Sequence, residues 1–154
     1  MTGTTPGGRI AGIDYGTVRV GIALADASTR IASPLENYTR RTPDLDAEFF
    51  RRLIARERID RLIVGLPVHA DGGESAKSVE VRGFGRWLAE VTGLDVVYFD
   101  ERYTTVEADE LLREVGLTAK QRKARLDKLA AQIMLAAYLE RAADDESDPQ
   151  PLDD

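Results

Sequence analysis

Short apolar runs alternate with amphipathic segments along most of this 154-residue chain, and that order limits the possible folds more than any other feature. Residues 9–15 and 18–26 are two such runs on either side of Gly16 and Thr17, which predicts a β-hairpin. Residues 33–40 follow as a third strand. The chain therefore opens with antiparallel strands before any helix begins.

Helical segments then separate two further strands. Thr42 followed by Pro43 is typical of a helix N-terminus, and the segment after it has one apolar face. Residues 61–67 and 94–102 are short apolar strands, and a helix over about 75–92 lies between them. The residues of this helix that we expect to be buried are Val79, Phe84, Trp87, Leu88 and Val91.

Two capping patterns mark the start of the last helices. Thr104 and Glu107 form a T-x-x-E pattern ahead of a helix that Gly116 ends, and Thr118 and Gln121 open a long final helix. The order of elements predicts an α/β fold with a mixed five-stranded sheet. In this fold the antiparallel hairpin strands lie beside parallel strands, and helices cover both faces.

The net charge of −6 comes from the C-terminal end of the chain. Residues 144–154, "DDESDPQPLDD", hold six acidic residues and no basic one, and the remaining 21 acidic residues equal the 21 Lys and Arg residues. We therefore expect a flexible N-terminus over 1–8, one folded domain over 9–143, and a disordered acidic tail over 144–154.

The composition excludes several classes of site. The chain has no cysteine, so it has no disulfide, no thiolate metal site and no cysteine nucleophile. It also has neither an apolar run of membrane-spanning length nor a signal-peptide pattern. We expect a cytoplasmic protein with no membrane partner.

Acidic residues stand where apolar elements end. Asp14 closes the first strand, and Asp100 and Glu101 close the last one. Ligands of open α/β sheets bind outside the carboxyl ends of parallel strands, so these acids meet if their strands are close neighbours. Asp127 lies on the apolar face of the final helix, and the alanines one turn later allow a close approach to the sheet.

Such a group of carboxylates is suited to a metal ion. Ionised carboxylates repel each other unless a cation lies between them, and oxygen ligands without cysteine favour Mg²⁺ or Mn²⁺. One or two such ions can activate water and stabilise the leaving oxygen in phosphodiester hydrolysis. Each acid also has a structural interpretation that stays open: a turn cap for Asp14, an ion pair with Arg102 or Arg125 for Glu101, and one with Lys123 for Asp127.

Four motifs carry a resemblance to a known family. "GIDYGTVRVGIALAD", "IVGLPVHADGGES", "VVYFDERYTTVEA" and "KLAAQIMLAAYL", in that order, resemble the YqgF (RuvX-like) family over about residues 9–142. The resemblance implies an RNase H-like fold related to the RuvC Holliday junction resolvases. It also implies a hydrolase that cuts phosphodiester bonds as an endonuclease and processes the 5′ end of pre-16S rRNA in ribosome biogenesis.

The resemblance also implies the site residues. Asp14, Glu101 and Asp127 correspond to the catalytic, metal-holding acids of RNase H-like nucleases, with Glu101 favoured over its neighbour Asp100. Strand geometry allows only one of these two neighbours to face Asp14. RuvC resolvases carry a further acid near the last one, and this chain has none within one turn of Asp127.

Basic residues near these acids are candidates for substrate binding. The segment "KQRKARLDK" predicts contacts from Lys120, Lys123 and Arg125 to a nucleic-acid backbone, although a solvated helix face is the alternative. Arg102 either contacts a phosphate or orders the acids by an ion pair. His69, in a loop near the expected site, either contacts a phosphate or has no role in the reaction.

Other functions remain compatible with the sequence. A DNA junction resolvase needs two active sites related by two-fold symmetry, and both a monomer and a homodimer stay open. A non-catalytic RNA- or ribosome-binding module would keep the fold without turnover. An ATPase of the sugar-kinase, actin and Hsp70 type would need two such domains, which 154 residues do not provide. Structured RNA is the expected partner, ahead of DNA.

Overall fold

A computed structural model of the chain describes residues 8–26, 28–68, 72–104 and 118–147. Within the last range it describes the side chains of 118–121 and 129–143. The helix predicted between Thr104 and Gly116 lies outside these residues, and so does most of the predicted acidic tail.

Five strands form one sheet, with the order β3-β2-β1-β4-β5. The antiparallel pairs are β1 with β2 and β2 with β3, whereas β4 runs parallel to both β1 and β5. The mixed sheet is therefore confirmed, with β1 at its centre. The strands are β1 (Arg9–Asp14), β2 (Arg19–Asp26), β3 (Ala32–Thr39), β4 (Ile59–Leu66) and β5 (Val96–Asp100).

Three helices and a single 3-10 turn are described. The helices are α1 (Pro43–Glu57), α2 (Ala76–Thr92) and α3 (Ala119–Ser147), and the 3-10 turn is Glu101–Tyr103. The end of α3 at Ser147 places its last turn within the range assigned to the tail.

Two of the caps predicted from the sequence are present, at Thr42 and at Thr118, whereas the one predicted from Thr104 and Glu107 extends outside the described residues. The Thr42 hydroxyl accepts a hydrogen bond from the Leu45 N–H at 3.3 Å, with Pro43 at the first helical position of α1. Thr118 and Gln121 exchange hydrogen bonds of 2.9 and 3.2 Å between side chain and backbone. These caps satisfy backbone N–H groups that have no partner within the helix.

Alternation along the strands divides the apolar side chains between two cores. On one face, Ile13, Val64 and other strand residues pack with α1 and α2. On the other face, Ile10 and Ile63 pack with Leu135 and its neighbours on α3. Helices therefore cover both faces, as predicted. The face covered by α3, called the α3 face below, carries every even-numbered residue of β1, including Gly12 and Asp14.

Two sequence predictions about these elements are wrong. Val79 is 59% exposed, because Ser78 takes the inward position of α2 and completes the capping box with Ser75. The strand predicted to reach residue 102 stops at Asp100, because the Asp100 carboxylate accepts the Arg102 N–H at 2.9 Å and starts the 3-10 turn.

Among the described residues, no helix combines the length and the apolar character that crossing a membrane requires.

The close packing of α3 on β1 gives a stability prediction. A Cβ on Gly12 would lie 2.8 Å from the Leu135 Cβ and 3.2 Å from the Ala131 carbonyl oxygen. We expect Gly12→Ala to lower the free energy of unfolding by about 1–3 kcal/mol, because the helix must move away from the sheet. Urea unfolding monitored by circular dichroism measures this.

Gly83→Ala is the matched control. Among the described residues a Cβ there meets only an Arg86 nitrogen, at 3.9 Å, so alanine fits on α2 and raises the free energy of unfolding by up to about 1 kcal/mol. Equal effects of the two substitutions would contradict the close contact at Gly12.

Candidate active site

Two carboxylates from distant parts of the chain meet on the α3 face. Asp14 is the last residue of β1, and Glu101 follows the last residue of β5. The side chains of Asp14 and Glu101 lie close enough to share a hydrogen bond when Glu101 is protonated. The strand between them, β4, contributes Gly65, which lies under the Glu101 side chain.

Gly65 makes this meeting possible. A Cβ at this position would lie 2.6 Å from Glu101 Oε1 and 3.2 Å from Glu101 Cγ. Because glycine has no Cβ, the Glu101 side chain can cross β4 toward Asp14. Gly65 lies inside β4, where its role is to leave room for a carboxylate.

Glu101, not Asp100, lies beside Asp14. Phe99 packs in the α3-face core and Tyr98 against the opposite core, so Asp100 follows Tyr98 to the other face. The Asp100 carboxylate is bound by Arg102, whose Nε lies 2.8 Å from Oδ2. Hydrogen bonding from Arg102 holds the pKa of Asp100 below its usual value.

The surroundings of Glu101 favour its protonated form. Burial, and then the negative charges of Asp14 and Asp100, raise the pKa of Glu101 to about 7. The positive charge of Lys77, at the start of α2, opposes this rise. Lys77 was not identified from the sequence, although its position just after the loop that follows β4 was a usable signal.

The donor set fits a hard divalent cation. The two carboxylates offer oxygen ligands only, and their mutual repulsion is what a bound cation would offset. Mg²⁺ is often held by one or two carboxylates together with water and substrate phosphates. The side chains that the structure describes contain no group of three or more potential metal ligands.

The third predicted acid is on α3. Position 127 lies in this helix four residues before Ala131, and its side chain is outside the described residues. The Ala131 Cβ and the Asp14 Cβ each lie 3.6 Å from where a Cβ on Gly21 would be. The backbone of α3 thus passes next to the Asp14 end of the sheet one turn after position 127.

The structure describes some of the predicted substrate-binding residues and not others. Arg102 forms an ion pair with Asp100, and a Cβ on Gly72 would lie 3.8 Å from Arg102 Nη1. Lys120 is exposed in the first turn of α3. The side chains of Lys123 and Arg125, and all of His69, lie outside the described residues, so their roles stay predictions.

A polar network on the opposite face of β1 was not apparent from the sequence. The Tyr15 hydroxyl donates to Glu80 Oε1 at 2.7 Å and accepts from Arg40 Nη1 at 3.2 Å. The Lys77 Nζ lies 4.9 Å from the centre of the Tyr15 ring. This network connects β1 to the start of α2, which holds Lys77 near the carboxylate pair.

A mixed sheet of this order, with helices on both faces, is the arrangement of the RNase H-like fold. Comparisons with known proteins agree. RuvC of Thermus thermophilus, solved in complex with Holliday junction substrate, shares the fold with a TM-score of 0.53 at 16% identity, over 87% of this chain and 94% of that one.

Comparisons of sequence assign the chain to a family within this fold. A family model described as "RuvX: Holliday junction resolvase" matches residues 8–141, and the chain belongs to that family. A protein of Rhodopirellula baltica named "Putative pre-16S rRNA nuclease" is 50% identical over 133 residues, which are 86% of this chain and 77% of the relative. A protein of Koribacter versatilis with the same name is 36% identical over 92% of this chain and 93% of its own length.

The raised pKa of Glu101 predicts a specific dependence of stability on pH. A carboxyl group with a higher pKa in the folded chain makes stability fall as pH rises from its ordinary 4.5 to about 7, because folding then opposes its ionisation. Glu101→Gln removes this penalty. We expect its free energy of unfolding, relative to the wild type, to rise across that window by up to about 3 kcal/mol and to stay level above it.

Urea unfolding in EDTA between pH 4 and 8 tests this expectation. The matched control is Glu90→Gln, an exposed glutamate on α2. If the Glu101→Gln and wild-type stabilities run parallel over the whole range, the raised pKa is contradicted.

Proposed function

We propose that the chain is a metal-dependent endonuclease that cuts phosphodiester bonds of pre-16S rRNA near its 5′ end. The observation that carries the proposal is the contact between the Asp14 and Glu101 carboxylates, aligned by the sheet and by Gly65. The names of the two relatives support the choice of RNA. Membership in the RuvX family supports phosphodiester hydrolysis.

Asp14 and Glu101 would hold Mg²⁺ or Mn²⁺, and Asp127 is proposed as the third ligand. Its support is its position on α3, one turn before the Ala131 contact beside Asp14. When bound, the cation polarises the scissile phosphate and lowers the pKa of a water molecule that attacks phosphorus. One ion or two are compatible with this number of acids.

The chain's own residues set the geometry of the reaction. The rigid strand β1 fixes Asp14, while Gly65 and the 3-10 turn fix Glu101 at its side. Strand alternation puts Asp100 on the other face of the sheet, where its carboxylate forms an ion pair with Arg102. The Lys77 ammonium adds positive charge where a phosphate would enter.

Substrate contacts outside the carboxylate pair are proposed on the same basis. Lys120, Lys123 and Arg125 at the start of α3 would neutralise phosphates of the RNA backbone, and the exposure of Lys120 supports this. Arg102 and His69 would contact the RNA strand at the other side of the site. A monomer is sufficient for RNA cleavage, whereas a homodimer is what a junction resolvase requires.

Loss of one carboxylate should abolish cleavage. We expect Asp14→Asn and Glu101→Gln to lower the rate of cleavage of a labelled pre-16S rRNA fragment in Mg²⁺ or Mn²⁺ by about a hundredfold or more. EDTA should have the same effect on the wild type. Asp95→Asn is the matched control and should keep full activity. Asp95 is an exposed aspartate just before β5, at the end of that strand farthest from Glu101.

A four-way DNA junction tested alongside separates the alternatives. Cleavage of the junction alone would move the activity to DNA. Intact binding of RNA without cleavage of either substrate would favour a non-catalytic RNA-binding module.

The role of Asp127 has its own test. Isothermal titration with Mn²⁺ should show that Asp127→Asn weakens metal binding by at least about tenfold, because one oxygen ligand is lost. Glu140→Gln changes an exposed acid on the same helix and should leave metal affinity unchanged. An unchanged affinity in Asp127→Asn would remove this residue from the ligand set.

A further inference from the structure

An open cleft lies directly beside Asp14 on the hairpin side of the sheet. Its volume is about 420 Å³, within the range of about 300–1,000 Å³ that sites for small molecules occupy. Its wall includes Asp14, the turn from Gly16 to Arg19, Gly21 and Asn37. We propose that this cleft binds one nucleotide of the RNA strand, next to the phosphodiester bond that is cut. This inference rests on the proposed function.

The register of the strands places the cleft in line with the carboxylate pair. Asp14 is paired with Gly21, and Gly21 is paired with Asn37 on β3. These three positions form a row across the sheet on the α3 face. An RNA strand that follows this row would leave the Asp14 carboxylate, run past Gly21 and reach Asn37.

Gly21 keeps the floor of this row open. A Cβ there would already be in van der Waals contact, at 3.6 Å, with the Cβ atoms of Ala131 and Asp14. Any larger side chain would have to displace Ala131 or enter the cleft that Gly21 lines. The cleft therefore depends on the missing side chain at this position.

Arg19 supplies positive charge and has no ion-pair partner among the side chains that the structure describes. It lies two residues before Gly21 on β2, so it shares the α3 face, and it is exposed. No hydrogen bond or ion pair joins its guanidinium to another residue within the described ranges, whereas Arg40 and Arg102 are bound to Asp46 and Asp100. A guanidinium of this kind is available for a bidentate contact with a phosphate.

The other groups of the cleft match the remaining parts of a nucleotide. Asn37 is exposed and offers both an amide donor and an acceptor, which suit a ribose hydroxyl. Val18, 62% exposed at the rim, offers an apolar surface to a sugar or a base. One cation, one neutral amide and one apolar contact form a set that a phosphate, a ribose and a base satisfy together.

The test is equilibrium binding of a short single-stranded RNA to the full chain in EDTA, where no cleavage occurs. Fluorescence anisotropy at several salt concentrations should show that Arg19→Ala weakens binding on the order of tenfold. The slope of the logarithm of the association constant against the logarithm of the salt concentration should become shallower by about 0.7–1, because one phosphate contact is lost. Arg19→Lys should recover part of the affinity, and Arg19→Gln should not.

Arg61→Ala is the matched control. Arg61 is also an exposed strand arginine. It lies near the beginning of β4, at the end of the strands opposite to Asp14. Its replacement should change neither the affinity nor the salt slope. If Arg19→Ala behaves like Arg61→Ala, the cleft is not a phosphate site and the proposal is overturned.

Asn37 tests the choice of RNA. The wild type should bind RNA more tightly than DNA of the same sequence, and Asn37→Ala should reduce that difference. Equal binding of both strands, unchanged in Asn37→Ala, would overturn the assignment to an RNA nucleotide. Binding is read without turnover, so a wild type that fails to cleave RNA refutes the proposed function separately from the cleft.

Discussion

The site depends on three positions of the α3 face where the sheet has no Cβ atom. Gly12 lets α3 rest on the backbone of β1, Gly21 leaves the space beside Asp14 open, and Gly65 gives Glu101 its path across β4. The absence of side chains at these positions brings a helix and two carboxylates to one small area. The apolar cores on both faces then hold the sheet that carries them.

The carboxylate pair also explains the electrostatics of this area. Two acids in contact repel each other when ionised, and folding brings them together in spite of that repulsion. Apolar packing on the α3 face, with Leu135 fully buried, stabilises the arrangement that the charges oppose. Such a site favours cation binding, because a bound cation would relieve the repulsion between the two carboxylates that is present in the folded chain.

Local patterns allowed much of the fold to be predicted. The hairpin, the Thr42 and Thr118 caps and the alternation of strands and helices depend on residues close in sequence, and each is present. The choice of Glu101 over Asp100 followed from the resemblance, and strand geometry limited it to one of the two. The contact of Glu101 with Gly65, the position of Lys77 and the exposure of Val79 depend on how distant elements pack, which no local pattern encodes.

The sheet order has a consequence for when the site forms. The central strand β1 is made first, yet its neighbour β4 and the strand that leads to Glu101 are made much later in synthesis. Contacts between residues so distant in sequence form only after the intervening chain is complete. A partly synthesised chain on the ribosome therefore has Asp14 without its partner, and the carboxylate pair assembles only once translation has passed β5.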